Sequence, residues 1–260
     1  MYATRDPGGP QKLDLYLPAD LPAGRGPHPF ILRIHGGAWR GGDKTQNVPA
    51  YLLEDGYAIA SVEHRFTDVA PFPAQIQDVK AALRYLREHA GEYGLDPRRV
   101  AALGDSSGSH LACLVGLTGG VAALTDDPGS RTSDRVLAVV DFYAPSDLRA
   151  FPESWKVSHP DLIDAVNRLV GGTLEEHPDV ARAASPITYV NKASPPFLIL
   201  QGGRDDIVAP VQSINLDRAL RAAGVPSELV ILPGAGHGGP EFWAPEQRAK
   251  IRAFLDRYLR

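Results

Sequence analysis

Apolar residues in this chain cluster in short runs, separated by segments in which they recur at helical spacing. Runs that are apolar on both faces predict buried strands at residues 30–34, 57–62, 100–103, 136–142 and 196–201. Apolar residues three and four apart predict helices at residues 72–90, about 106–117, 211–223 and 242–258. Because strands and helices alternate, we expect a mostly parallel central sheet with helices on both faces.

The remaining segments complete this architecture. Alternation of apolar and polar residues at 12–17 predicts an antiparallel edge strand with one wet face, and residues 227–232 predict a further strand. We expect a proline-rich loop at 18–29, a short helix within 46–55 and a surface loop at 119–134.

Residues 146–190 are the least regular part of the chain, although Leu162, Ala165, Val166 and Leu169 predict one helix there. This segment follows the carboxyl end of a strand, where insertions shape substrate pockets. We therefore expect residues 1–260 to form a single α/β domain with a lid-like insertion at about 146–190.

Composition restricts the classes of partner. The chain has 260 residues, of which 43% are hydrophobic and 22% charged, and its net charge is 27 − 31 = −4. A charge this small argues against a nucleic-acid or anionic-membrane partner, and no apolar run approaches membrane-span length. The single Cys113 excludes an internal disulfide and a cysteine metal cluster, and we expect a buried, inert thiol.

The first seven residues show no basic segment followed by an apolar core, so we expect no signal peptide in this chain. Both a cytoplasmic protein and a secreted protein whose signal was removed fit this expectation. We expect a monomer or homodimer that acts on a small molecule without a metal or organic cofactor.

The strand at 100–103 leads directly into Gly104-Asp105-Ser106-Ser107-Gly108, a Gly-x-Ser-x-Gly motif. A serine on a sharp strand-to-helix turn projects its hydroxyl above the carboxyl edge of the sheet. Glycine is needed on either side of it, because a side chain there would collide with the neighbouring backbone. The N–H of Ser107, at the start of the helix, points toward the same place. Alone the motif is weak, because a glycine-rich turn with a solvated serine matches it equally well.

A serine nucleophile needs a base, and the base needs an acid. His237 is the best candidate base, because it lies in a glycine-rich loop after the strand at 227–232. Asp205 and Asp206 both follow the strand at 196–201. We favour Asp205 as the acid, with Asp206 capping the helix that begins near Pro210. His110 lies one turn beyond Ser106 and should point along its helix. The order Ser106, Asp205, His237 is that of α/β-hydrolases.

The glycine-rich loop His35-Gly36-Gly37-Ala38-Trp39 follows another buried strand. We assign the N–H groups of Gly37 and Ala38, together with that of Ser107, to an oxyanion hole. Gly36 serves the turn, and His35 is interpreted as a structural imidazole bonded to loop backbone. Trp39 either walls the acyl pocket or packs in the core.

Aromatic residues near the same edge are candidates for the pocket. Phe142 and Tyr143 should line it, whereas Phe151, Trp155 and Trp243 either form its rim or pack. Glu63 and Arg65 are expected to form a structural ion pair under the glycine-rich loop.

These motifs together resemble the α/β-hydrolase superfamily, and within it small bacterial esterases related to hormone-sensitive lipase, particularly the acetyl-xylan and feruloyl esterase-like group. Segments 61–66 and 70–78 are also similar to that group. The chain departs from the group's pattern at Ser107-Gly108-Ser109-His110, where Ala-Gly-Gly-His is common, and at Gln201 and His64, where His and Tyr are common.

The resemblance implies a serine carboxylesterase acting on short acyl or aryl esters, such as the acetyl and feruloyl esters of plant polysaccharides. Alternatives are an arylformamidase or another small amidase or peptidase. A relative that binds ligands without turnover is a further alternative, although such relatives usually lose the nucleophile or the base.

Overall fold

A seven-stranded sheet forms the centre of the computed structural model, which describes residues 1–19, 27–150 and 159–260. A separate two-stranded sheet pairs β1 (Ala3–Arg5) with β2 (Gly9–Gln11). The central strands are β3 (Leu13–Tyr16), β4 (His28–Ile34), β5 (Ala58–Val62), β6 (Leu95–Asp105), β7 (Ala138–Phe142), β8 (Phe197–Gly202) and β9 (Ser227–Leu232). Their order is β3-β5-β4-β6-β7-β8-β9, and only β3 runs antiparallel to its neighbour. The mostly parallel sheet and its antiparallel edge strand are therefore confirmed.

Helices cover both faces of this sheet, as predicted. They are α1 (Tyr51–Glu54), α2 (Ala74–Glu88), α3 (Ala90–Tyr93), α4 (Ser107–Leu117), α5 (Pro160–Val170), α6 (Pro178–Ala183), α7 (Val211–Ala222) and α8 (Pro245–Leu259). Phe30, Leu32 and Ile34 of β4 join the apolar cluster formed with α2, α4, α5 and α7, whereas Ile31 joins the cluster with α1 and α8. No helix in the described ranges is both long and apolar enough to cross a membrane.

Element boundaries differ from the predicted ones where turns or proline interrupt the pattern. The β1–β2 hairpin and α6 were not predicted, because each is too short to show a period. The helix predicted within 46–55 is limited to Tyr51–Glu54, and a 3-10 turn at Pro240–Trp243 delays the last helix until Pro245. Within the loop predicted at 18–29, residues 20–26 lie outside the described residues, and His28 and Pro29 belong to β4.

The predicted ion pair between Glu63 and Arg65 is wrong. The Arg65 guanidinium binds the carboxylate of Asp78, with Nε and Oδ2 2.8 Å apart, and Glu63 instead binds Lys44 at 3.2 Å. Asp78 lies on α2 and is fully buried, so it needs a cationic partner more than the partly exposed Glu63 does.

Candidate active site

Ser106 lies on the sharp turn between β6 and α4. Its backbone is left-handed, with φ 54° and ψ −123°, and its N–H donates to the Phe142 carbonyl at 2.9 Å. A Cβ at Gly104 would collide with the Gly108 carbonyl oxygen, and one at Gly108 with the carbonyl oxygens of Ile34 and His35. Gly104 is therefore required for the turn to close on itself, and Gly108 for the turn to pack against the end of β4.

The structure brings together three side chains that lie far apart in the sequence. His237 Nε2 lies 2.9 Å from the Oγ of Ser106, and His237 Nδ1 lies 2.8 Å from Oδ2 of Asp205. Because the carboxylate can only accept, Nδ1 carries the proton and Nε2 is left to accept from the serine hydroxyl. The three residues thus form one hydrogen-bonded chain at the carboxyl edge of the sheet.

Asp205 is held by contacts to the loop that carries it. Its Oδ1 accepts the N–H groups of Ile207 and Val208 at 2.9 and 2.8 Å, and its Oδ2 also accepts from Gln201 Nε2 at 3.2 Å. These donors fix the plane of the carboxylate and aim Oδ2 at the imidazole. The side chain is buried, so the contacts are protected from water.

Asp206, the alternative acid, is exposed and does not contact His237 among the described residues. The prediction that Asp206 caps the next helix is wrong, because α7 begins after Pro210 without a side-chain cap. The backbone N–H groups that follow this turn are bound by Asp205 itself.

The glycine-rich loop presents unbonded N–H groups to the same place. Ala38 and Trp39 both have left-handed backbone, with φ 54° and 56°, and Gly37 has φ 125°. Within the part of the chain that the structure describes, the N–H groups of Gly37 and Ala38 have no acceptor. Ser107 is the first residue of α4, where N–H groups lack an intrahelical partner. All these residues line one cavity with Ser106.

His35 lies behind that loop, and its Nδ1 is 2.8 Å from the Gly36 carbonyl oxygen, in the structural position predicted. Its ring stacks on that of His64 with centroids 4.9 Å apart. Burial lowers the pKa of both imidazoles, that of His64 to about 3. Both rings are therefore neutral supports of the loop at neutral pH.

The cavity above Ser106 has a volume of about 720 Å³. Its walls are of two kinds. Apolar side chains are contributed by Trp39, Pro145, Leu162, Ile207, Val208 and Trp243, and polar ones by Gln46, Asn47 and Asp105. Within the described residues, no group of His, Cys, Asp and Glu is arranged to hold a metal ion.

The aromatic candidates are placed differently from one another. Trp39 is 1% exposed and yet lines the cavity, so it both packs and forms a wall. Tyr143 lines the cavity, with its ring centroid 4.6 Å from that of His237. Phe142, which was also expected to line it, is fully buried and supports Trp243 from behind with ring centroids 4.9 Å apart. Phe151 and Trp155 lie outside the described residues.

Buried polar residues that support the site were missed by sequence reasoning. The Arg33 guanidinium pairs with Asp105, next to the serine, and its Nε donates to the Asn47 carbonyl at 3.2 Å. Asp141 accepts from the Ser109 hydroxyl at 2.6 Å and the Ala144 N–H at 2.9 Å. Burial raises the pKa of Asp141 to about 6. The sequence did carry one signal for these residues: Arg33 and Asp141 are charged residues inside runs that are otherwise apolar.

His110 and Cys113 lie farther along α4. His110 was expected to point away from the Ser106 hydroxyl, and its ring binds the Trp39 indole and the Ala184 carbonyl. Cys113 is buried, and burial raises the pKa of its thiol well above the usual value. Neither side chain lines the cavity.

Comparisons with known proteins identify the family of this chain and its fold. The sequence profile of the BD-FAE family matches residues 13–220. Esterase LipQ of Mycobacterium tuberculosis (strain ATCC 25618 / H37Rv) is 34% identical over 237 residues, which cover 89% of this chain and 55% of LipQ. The chain thus spans about half the length of the curated relatives it matches.

Two solved structures are similar over nearly the whole chain. A truncated form of a carbohydrate esterase from gut microbiota superposes with a TM-score of 0.83 at 33% identity, covering 95% of this chain and 90% of that chain. An acetyl ester-xyloside bifunctional hydrolase from Caldicellulosiruptor lactoaceticus gives a TM-score of 0.79 at 25% identity, covering 98% and 90%.

Proposed function

Because this chain belongs to the BD-FAE family and has the α/β-hydrolase fold, we propose that it is a serine carboxylesterase acting on short-chain acyl or aryl esters. One observation supports this most strongly: the unbroken hydrogen-bonded chain from Ser106 through His237 to Asp205. Ser106 is the nucleophile, His237 the general base and acid, and Asp205 the group that orients the imidazole.

In the first step, Ser106 Oγ attacks the ester carbonyl carbon as its proton passes to Nε2 of His237, 2.9 Å away. The imidazole then carries a positive charge, which the Asp205 carboxylate at 2.8 Å stabilises. Because Asp205 holds the Nδ1 proton before the reaction begins, no tautomer change precedes the attack.

The carbonyl oxygen becomes an oxyanion as the tetrahedral intermediate forms. The N–H groups of Gly37, Ala38 and Ser107 are proposed to bind it. Removing one such donor typically costs about 3 kcal/mol of transition-state stabilisation. The donors sit on backbone fixed by the loop and by α4, so little rearrangement is needed when the charge develops.

Collapse of the intermediate releases the alcohol, which takes the proton from His237 Nε2 and leaves an ester between Ser106 and the acyl group. A water molecule then gives a proton to the same Nε2 and attacks the acyl carbon. The oxyanion hole stabilises the second intermediate as it did the first. Its collapse releases the acid and returns the proton to Ser106.

The cavity favours short acyl or aryl groups as substrates. Its volume is about 720 Å³, and Leu162, Ile207 and Val208 provide an apolar wall. Gln46 and Asn47 provide amide groups that suit a polar alcohol portion, such as a sugar. Two structural neighbours are described as a carbohydrate esterase and an acetyl ester-xyloside hydrolase, so acetyl and feruloyl esters of plant polysaccharides are specific candidates.

We also propose that residues 1–260 act as a single domain, monomeric or homodimeric, in which the insertion at about 146–190 covers one side of the cavity. Leu162 of α5 supports this, because it belongs to the insertion and lines the cavity.

Labelling and turnover test the proposal together. A fluorophosphonate should label the wild type and the Ser107→Ala variant, which retains its backbone N–H, but not Ser106→Ala. The wild type should hydrolyse p-nitrophenyl acetate and butyrate faster than N-formylkynurenine or a peptide anilide. An unlabelled wild type would indicate a ligand-binding protein, and faster turnover of the amide substrates would indicate the amidase alternative.

A further inference from the structure

His110 connects three parts of the site without reaching the cavity. The Trp39 indole Nε1 lies 3.1 Å from His110 Nδ1, and His110 Nε2 lies 2.7 Å from the Ala184 carbonyl oxygen. The indole can only donate, so Nδ1 must accept, and Nε2 carries the proton that it donates to Ala184. Both ring nitrogens are used, and the side chain is fully buried.

We propose that His110 is a positioning residue: by binding the Trp39 side chain, it holds the glycine-rich loop (residues 35–39) where its N–H groups can bind the oxyanion. This inference rests on the proposed esterase function. It assigns no contact with substrate to His110, which acts through Trp39.

The loop needs an anchor because its backbone is strained. Ala38 and Trp39 are consecutive non-glycine residues with φ 54° and 56°, a conformation that L residues rarely adopt. Surrounding contacts must maintain it. The Trp39 carbonyl accepts from the Thr67 N–H at 2.9 Å, and the Trp39 side chain is held by His110 through the indole N–H and an edge-to-face ring contact with centroids 5.1 Å apart.

The position of His110 relates this loop to the nucleophile. The His110 N–H donates to the Ser106 carbonyl at 2.9 Å, so the imidazole and the serine belong to the same helical turn. This side chain therefore links the loop that carries the proposed donors to the helical turn that begins at the serine. Through Ala184 it also ties the insertion to both.

The hydrogen-bond pattern requires a neutral imidazole, and the surroundings favour one. Burial lowers the pKa of His110 to about 4, and no ionised carboxylate or guanidinium is among the groups that perturb it. An imidazolium would present a second N–H to the Trp39 indole and break the bridge.

The expected kinetic effect is on the chemical step. A loop displaced by a fraction of an ångström still admits the ester but binds the oxyanion less well. The variants His110→Leu and Trp39→Phe each remove the same hydrogen bond while retaining an apolar or aromatic side chain. We expect each to lower kcat per titrated active site by about tenfold or more, with KM nearly unchanged in His110→Leu, because His110 does not line the cavity.

Non-additivity and a spectroscopic signal separate positioning from simple stabilisation. Because the two substitutions break one bond, the double variant should lose no more than about the larger single loss. The indole ¹H–¹⁵N resonance that is absent in Trp39→Phe should shift in His110→Leu. Thr118→Val is the matched control, since Thr118 is fully buried at the far end of α4 and its hydroxyl donates only within that helix. It should lower Tm without changing kcat.

A His110→Leu enzyme whose kcat per active site stays within about twofold of the wild type, whatever its Tm, would overturn the inference, as would losses that multiply in the double variant. If His110→Leu does not fold, the test depends on Trp39→Phe and His110→Gln. Trp39→Phe should have a lower kcat than the wild type. His110→Gln retains an acceptor and a donor, so its kcat should lie between those of Trp39→Phe and the wild type. Normal kcat in Trp39→Phe overturns the inference. A wild type without esterase activity would instead overturn the proposed function.

Discussion

Replacing Asp205 by asparagine alters the proton positions of the site while preserving its shape. Oδ1 of Asp205 faces the N–H groups of Ile207 and Val208, so the asparagine carbonyl must take that place. Its NH₂ group then occupies the position of Oδ2, opposite His237 Nδ1 and the Gln201 amide. The reverse orientation would set the NH₂ group against two backbone donors.

A donor at the Oδ2 position requires an acceptor at Nδ1, so the imidazole proton moves to Nε2. Nε2 can then no longer accept from Ser106, and the nucleophile loses its base. The same change of tautomer in a Ser-His-Asp triad costs about 10⁴ in kcat, which corresponds to about 5.5 kcal/mol. We expect Asp205→Asn to show a loss of this size with little change in KM. Folding should be affected less, by about 1–2 kcal/mol, because both backbone contacts to Oδ1 remain and only the contact donated by Gln201 Nε2 is lost.

The assay is p-nitrophenyl acetate hydrolysis at pH 8, with Tm measured in parallel. Asp206→Asn is the matched control, because it makes the same chemical change one residue away at an exposed position and should retain normal kcat. The reasoning is refuted if Asp205→Asn keeps more than about a tenth of the wild-type kcat, or if Asp206→Asn loses as much as Asp205→Asn.

Further substitutions test packing, buried charge and pocket shape. Gly108→Ala should lower the free energy of unfolding, measured by urea titration, by about 1–3 kcal/mol, because the new methyl group meets the carbonyl oxygens of Ile34 and His35. It should also lower kcat. Gly91→Ala, which has open space around it, should lower neither the free energy of unfolding nor kcat. In the folded wild type, burial raises the pKa of Asp141 to about 6. Between about pH 4 and 6 the folded state therefore keeps a proton on Asp141 that the unfolded state has released, and this proton binding stabilises the fold. The stabilisation is lost as pH rises through this window. Asp141→Asn should therefore gain stability relative to the wild type by up to about 3 kcal/mol at pH 8 and little at pH 4, and an equal difference at both pH values would contradict this. Leu162→Ala should raise the ratio of kcat/KM for octanoate over acetate esters several-fold, whereas Ile163→Ala, outside the cavity lining, should leave the ratio unchanged.

The fold could be predicted from sequence because apolar runs and turns carry local signals. The buried strands, the antiparallel edge strand and the long helices were all found, and the α/β-hydrolase fold class is confirmed. The start of β6 was harder to predict: β6 begins at Leu95, six residues before its pairing with β7 starts at Ala101, although Pro97, Arg98 and Arg99 interrupt the apolar pattern. Pairing with His28, which only the folded sheet supplies, brings this segment into the strand.

The candidate site was partly predictable for a related reason. Ser106, Asp205 and His237 each follow a strand, and the carboxyl ends of parallel strands meet at one edge. The supports behind them were not predictable. Nothing local indicates that Arg33 pairs with Asp105, or that Trp39 binds His110, since each pair is joined only when two distant segments pack.

Backbone strain in this structure is concentrated at the cavity. Every described non-glycine residue with positive φ lines it, and these are Ala38, Trp39, Asn47, Ser106 and Tyr143. Each such conformation costs about 1–3 kcal/mol and persists only where surrounding contacts impose it.

Those contacts come from buried groups beneath the cavity. Arg33 binds the carbonyl of Asn47, Phe142 accepts the N–H of Ser106, and Leu200 accepts the N–H of Tyr143 at 2.9 Å. Because these groups fix the reacting geometry without touching the space that a substrate would occupy, disturbing them should weaken binding of the transition state more than binding of the ester. The positions most sensitive to substitution should therefore extend beyond the cavity wall to its buried supports, with kcat falling before KM rises.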